Sequence, residues 1–310
     1  MPDLQAYSPA MGQKDGEKWP AAADLQPTFP KSDRLLRIGE LAIGLQARIN
    51  VRLALGVSYN GRAYHGWQSQ PSGRTVQDHI EAALSRLAQE KIGTLCAGRT
   101  DTGVHALMQV IHFDTGARRL PVSWVRGTNA YLPHDISVEW AAEVPARFHC
   151  RANATSRRYT YVVMESPVRP SVDAGRVGWV MRPLSQTPMQ QACGYLIGEH
   201  DFTSFRAAAC QALSAVKHLF PIVISRRGAY WRFEFEGNAF LHHMLRNIMG
   251  CLLLIGQGTR PPEWMHEVLT ARRRDVAAPT FSPDGLYFLG PRYDAAWGLP
   301  DRTAAFDGLP

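Results

Sequence analysis

From Val51 onward the chain switches between two hydrophobic periods, two and 3.6, without the strict strand–helix alternation that a doubly wound parallel fold requires. In VRLALGVSYNG, residues 51–61, Val51, Leu53, Leu55 and Val57 fall two apart, and Asn60-Gly61 ends the run as a turn. In TVQDHIEAALSRLAQE, residues 75–90, Val76, Ile80, Leu84 and Leu87 take helical spacing, and Thr75 with Asp78 marks the start. IGTLCAG and MQVIHFDT read as two short strands with a GRTDTG hinge between them. TSRRYTYVVME, residues 155–165, is a strand rich in β-branched and aromatic residues, and residues 220–237 form a hairpin turning at Arg227-Gly228. AFLHHMLRNIMGCLLLIG, residues 239–256, is the strongest helix, with Leu241, Leu245, Ile248, Leu252 and Ile255 as its stripe and Gly256 as its cap. PPEWMHEVLTARRRD is a further helix opened by proline, and GLYFLGPRYD a final strand. The pattern predicts an α+β fold on a largely antiparallel or mixed sheet. The expected organisation is an N-terminal half over 50–150, a C-terminal half over 151–295 and a tail over 296–310. Residues 1–49, rich in Pro, Gly, Ala and charge without periodicity, read as a disordered extension.

Charge narrows the class of partner. The 310-residue chain has a net charge of +7, and residues 1–50 hold six bases and six acids, so the whole excess lies beyond them. Only five of the 34 basic residues are lysine. Arginine presents a planar fork to phosphate and stacks on bases, so a polyanion is the first expectation, against a merely basic soluble surface. No apolar run is long enough to span a membrane, and the opening residues lack a basic stretch followed by an apolar one, so a secretory signal is not expected. Five cysteines without a CxxC pair fit a reduced cytoplasmic setting and no zinc site.

The hinge AGRTDTGVHA, residues 97–106, holds the most informative carboxylate. Asp101 sits in a loop, and Gly98 and Gly103 let the backbone turn around it. Arg99, two residues away, is placed to keep the carboxylate ionised as a nucleophile or base. An Asx-turn, with Asp101 bonding its own backbone, fits the same residues. His242 and His243 are adjacent, and adjacent residues on a helix point to different faces. With no third ligand evident, they form no metal site.

CAGRTDTGVHA resembles the signature loop of the tRNA pseudouridine synthase A (TruA) family. GVSYNGRAYHGWQSQ, NAYLPHDISV, VPARFHCRANATSRRYTY, GEHDFTSFRAAACQ, NAFLHHMLRNIMG and SPDGLYFLGPRY resemble further segments of that family, in the same order, from about residue 52 to about 293. Thr102 and Cys150 depart from its common residues by small changes. The resemblance implies the pseudouridine synthase fold: two RNA-recognition-like halves meeting at a central cleft. It also implies an isomerase that converts uridine to pseudouridine at positions 38, 39 and 40 of the tRNA anticodon stem-loop. The N1–C1′ bond breaks, the uracil rotates, and C5 takes its place. The family needs no cofactor and no metal, and acts as a homodimer with one tRNA contacting both subunits.

By the same resemblance Asp101 is the catalytic carboxylate, and its attack on base or sugar, or proton abstraction, is left open. Arg99 assists the flipping that a stacked base requires. Tyr159 stacks on the uracil. Arg246 pairs with Asp101, and Leu286 lines the pocket. Arg119, Phe148, His149, Arg151, Arg206, Cys210 and Gln211 are the implied RNA contacts. Read without the family, Tyr159 and Leu286 fit a core equally, and the single arginines fit a solvated surface. Three rivals remain on the residues alone. One is a non-catalytic tRNA-binding protein. Another is a metal-dependent nuclease, which would need further acids near Asp101. The third is a synthase with a different target uridine.

Overall fold

A computed structural model describes residues 50–300. The expected extension over 1–49 and the end of the tail lie outside the described residues. Eleven strands form one sheet in the order β4-β1-β3-β11-β5-β10-β8-β7, with β2 on β3, β6 on β5 and β9 on β10. The strands are β1 (Val51–Tyr59), β2 (Leu95–Cys96), β3 (His105–Thr115), β4 (Ile136–Val144), β5 (Ala154–Glu165), β6 (Gly178–Val180), β7 (Gly198–Asp201), β8 (Val216–Leu219), β9 (Val223–Arg227), β10 (Tyr230–Gly237) and β11 (Leu286–Tyr293). Pairing is antiparallel except for β11 on β3 and β6 on β5. The sheet is therefore mixed, as the patterning predicts. None of the helices among the described residues is long and apolar enough to cross a membrane.

Alternation decides which side of each strand is covered. Leu53, Leu55 and Val57 of β1 join the main core, whereas Ala54 faces a second cluster with Val110, Trp140 and Phe148. The main core also takes Val76, Ile80 and Leu84 from α1 (Val76–Ala88), whose Thr75 accepts from the Asp78 N–H as its N-cap. Leu245, Ile248 and Leu252 of α4 (Met244–Gly256) enter the same core beside Phe233 and Phe235 of β10. α2 (Pro121–Asn129), α3 (Gln186–Gly194) and α5 (Trp264–Ala271) complete the helices.

β11 brings the end of the described chain back between β3 and β5. This strand joins the hinge-bearing β3 to the strand that carries Tyr159. The division expected near residue 150 falls in the connection between β4 and β5.

One helix starts later than its periodicity predicts. α4 begins at Met244, not near residue 239, because His243 takes a left-handed conformation at φ 61°. The turn before it is closed by the Met244 N–H on Leu241 O, and the Ala207 N–H donates to His242 O. Leu241 is buried although it lies outside the helix. Gly256 is the last helical residue instead of the cap.

Candidate active site

The hinge is pinned from below by two strands. Tyr59 Oη on β1 lies 2.7 Å from Thr100 Oγ1, in a buried pair. Gln109 on β3 is fully buried. Its amide NH2 donates to Gly98 O, while its carbonyl oxygen accepts from the Gly98 N–H at 3.3 Å. One side chain thus satisfies both polar groups of a loop residue, as a neighbouring strand would. From above, the Trp67 N–H donates to Thr100 O at 3.0 Å. The two hinge glycines differ in role. Gly103 adopts φ 82°, a conformation costly for a side chain, whereas Gly98 does not have a positive φ and is held by Gln109. The Val104 N–H bonds Asp101 O, closing the turn.

Asp101 is partly exposed at the end of this turn. Arg246 Nη1 stands 3.1 Å from Asp101 Oδ2, and Arg246 Nε donates to Phe281 O at 2.9 Å. The guanidinium partnered with Asp101 is therefore that of Arg246. Arg99, expected beside the carboxylate, is exposed and donates to Gln211 Oε1 at 3.2 Å. Alternating neighbours in a turned loop project apart, so spacing in sequence did not translate into contact.

His242 Nε2 lies 3.4 Å from Oδ1 of Asp101, and His243 Nε2 lies 3.5 Å from Oδ2. This corrects the expectation that adjacent histidines diverge. The left-handed His243 precedes the first helical turn, so helical geometry does not apply, and the two rings lie against each other, tilted by 41° with centroids 3.9 Å apart. Together with Asp101 the two rings gather three possible ligand atoms within 4.8 Å of one another, so the third ligand missing from the sequence pattern is the carboxylate itself. A second group, His112, His149 and Cys150, also gathers possible ligand atoms. There His149 Nδ1 already accepts from the N–H groups of Arg151 and Ala152. Burial pushes the Cys150 thiol up to about 12, away from the thiolate a metal needs.

The carboxylate opens into a cavity of about 780 Å³. Five cations line it: Arg99, Arg151, Arg157, Lys217 and Arg246. Asp101 is the acid among the lining residues. Tyr159 and Leu286, placed on neighbouring strands β5 and β11, line the same space. The Tyr159 ring lies against Phe288 at 4.8 Å and meets Phe240 edge-on at 5.2 Å. Burial first, then the nearby Asp101 charge, holds its hydroxyl protonated well above the ordinary tyrosine range.

The expected RNA contacts separate into groups. Arg151, Cys210 and Gln211 line the cavity. Arg206 reaches back to the carbonyls of Cys210 and Ala212, at 2.8 Å each, and so fastens the loop that carries them. Arg119 lies away from the cavity and donates to Leu87 O. His149 packs its ring against His112. Phe148 is corrected outright. It is fully buried among His112, Tyr293 and Trp297, and a side chain without exposed surface has none to offer to RNA.

Sequence reasoning passed over Arg157 and Gln109. Arg157 gives its donors to carbonyls that include Asn238 O, at 2.8 Å, and Arg151 O. It braces the cavity wall from β5. A charged residue inside a strand pattern was the available signal.

An α+β sheet presenting one carboxylate in an arginine-lined cavity, with a tyrosine and a leucine facing it, defines an enzyme of polyanionic substrates. The sequence profile of the family described as tRNA pseudouridine synthase matches residues 56–152 and 192–294. Among relatives, tRNA pseudouridine synthase A of Albidiferax ferrireducens is 71% identical over 260 residues, covering 84% of this chain and 100% of that protein. Its counterparts in Paracidovorax citrulli and Polaromonas naphthalenivorans are 65% and 68% identical, with the same coverage. The chain belongs to the tRNA pseudouridine synthase family and is an isomerase.

Proposed function

We propose that this chain isomerises uridine to pseudouridine at positions 38, 39 and 40 of the tRNA anticodon stem-loop, with Asp101 as its catalytic carboxylate. The observation that carries this reading is the placement of Asp101. It sits on a rigid turn, salt-bridged to Arg246, in a cavity where cations surround one acid. A phosphate chain is drawn to such a rim, and a flipped nucleotide meets the carboxylate within it. Tyr159 supplies an aromatic face for the uracil, and Leu286 an apolar wall beside it. In this reading Arg99, exposed on the loop and bonded to Gln211, enters the stack and holds the base out. Arg151, Cys210 and Gln211 contact the strand at the rim. Arg206 holds the loop that carries Cys210 and Gln211, and His149 and Arg119 are carried over from the family as contacts outside the cavity.

The family's homodimer is carried over as part of this proposal. The exposed Val168, Val172, Trp179 and Met181 offer apolar surface that such a pairing buries. Five free cysteines fit a cytoplasmic setting.

The test uses unmodified tRNA tritiated at C5 of uridine. Wild type releases tritium, whereas Asp101→Asn binds tRNA with similar affinity and releases none. Tight binding without release by wild type would favour a binding protein. Equal release by both would mean that another residue does the chemistry.

A further inference from the structure

The isomerisation leaves a proton to account for. Once C5 is bonded to C1′, it carries both the new bond and its original hydrogen. Aromatic conjugation returns only when that hydrogen leaves as a proton. The C5–H electron pair becomes the C5=C6 bond, the C6=N1 pair takes up a proton at N1, and the atoms balance. The base that receives the C5 proton must stand beside C1′, and hence beside Asp101.

Among the described residues, three side chains place a nitrogen within 4.0 Å of the Asp101 oxygens: Arg246, His242 and His243. A guanidinium stays protonated and cannot accept. Tyr159 also faces the cavity, but its hydroxyl holds its proton. The imidazoles remain. His242 is the more exposed ring and His243 the more covered, with the two rings in tilted contact.

We propose that His243 is a catalytic residue that takes the C5 proton of the rearranged base, with the adjoining His242 connecting it to solvent. The inference rests on the function proposed above and adds a second reacting group to it.

The surroundings suit a base. Burial lowers the His243 pKa, Asp101 opposes this, and His242, Arg246 and Arg274 reinforce it, so the ring is held neutral at physiological pH. These groups approach from the hinge, from the ring's own segment and from the 274–276 turn. The left-handed backbone of His243 aims the ring at the carboxylate and away from the first turn of α4. A residue whose only task was to begin α4 would not need an imidazole at this place.

The experiment compares wild type, His243→Asn and His242→Gln on two tRNAs. Asparagine tolerates the left-handed backbone, so His243→Asn keeps the fold. One tRNA carries tritium at C5 of uridine. The other carries 5-fluorouridine, whose fluorine no base can remove as a proton. His243→Asn should release tritium at least about a hundredfold more slowly than wild type. In a single turnover it should consume 5-fluorouridine at the wild-type rate, because bond cleavage and rejoining come before the proton step. His242→Gln should lose less than about tenfold in tritium release. A parallel fall on both tRNAs would show that His243 only positions Asp101 and would overturn the proposal. Tritium release by His243→Asn within about threefold of wild type would also overturn it, as would the expected pattern appearing in His242→Gln alone. No release by wild type would remove the proposed function and this inference with it, whereas wild-type release with an unaffected His243→Asn would remove only the inference.

Discussion

Arg246 holds Asp101 and the backbone of Phe281 with one guanidinium, Nη1 at 3.1 Å from Asp101 Oδ2 and Nε at 2.9 Å from Phe281 O. The Phe281 N–H returns a bond to Arg246 O at 3.1 Å, so the arginine is fixed at both ends. Arg246→Ala should lower kcat about a hundredfold, with tRNA Kd changed less than threefold, because the lost charge faces the reacting carboxylate. Arg246→Lys should recover little of this, since an ammonium cannot span both acceptors. Single-turnover tritium release and filter binding read the two quantities separately.

Gln109 acts on the chemistry without touching it. Gln109→Leu keeps the volume but leaves Gly98 N–H and C=O without partners, at a cost of about 1–3 kcal/mol. The melting temperature should fall by several degrees and kcat about tenfold, while tRNA Kd stays within twofold. Gln109→Glu accepts from Gly98 N–H but repels Gly98 O, and should fall in between only if both bonds matter. Thermal unfolding with steady-state kinetics checks both substitutions.

The fold was legible where one period dominated. Val51 to Val57, Val76 to Leu84 and the hairpin at Gly228 follow local rules that the structure keeps. α2 and α3 were not legible, because Gly127 and Pro188 interrupt short helices whose form depends on what they pack against. The hinge announced its carboxylate, and of its partners only Arg246 was implied, by family resemblance and not by spacing. Gln109, Arg246 and His243 reach it across 8, 145 and 142 positions of sequence, and only the sheet order and one left-handed residue bring them together. Phe148 and Arg151 stand three apart in one motif and face opposite environments.

That separation can be measured. Phe148→Ala should cost about 3–5 kcal/mol in urea unfolding, as a large ring leaves a closed core, while the folded fraction keeps its tRNA affinity. Arg151→Ala should leave stability unchanged. It should weaken tRNA binding and reduce the slope of log K against log salt by about one, as expected for one lost phosphate contact. The reverse pattern would place Phe148 at the interface.

His112 sets a pH dependence of stability. Burial first, then the charges of Arg52 and His149, lower its pKa to about 4. In the unfolded chain the ring titrates near 6.5, so the unfolded state binds the extra proton between these values. Stability is therefore full above about pH 6.5 and falls as the pH drops towards 4, with a limiting slope near 1.4 kcal/mol per pH unit from this group. His112→Gln should flatten that part of the profile. Urea unfolding at pH 7, 5.5 and 4.5 on both proteins would show it, and parallel profiles would exclude His112 as the cause.

Cys210 should be the reactive thiol. Burial alone would raise its pKa, but N–H groups of Ala212 and His242, together with Arg206, bring it below the ordinary value. Burial instead pushes Cys96 and Cys251 up to about 11 and Cys150 and Cys193 up to about 12. Since the thiolate is the nucleophile, a maleimide at neutral pH should label Cys210 first. Cys210 lines the cavity, so bound tRNA should protect it and the labelled protein should lose tritium release. Cys210→Ser should resist both labelling and inactivation. Peptide mapping by mass after short exposure identifies the site, and first labelling at any other cysteine would mean that the loop fastened by Arg206 is not arranged in solution as its hydrogen bonds require.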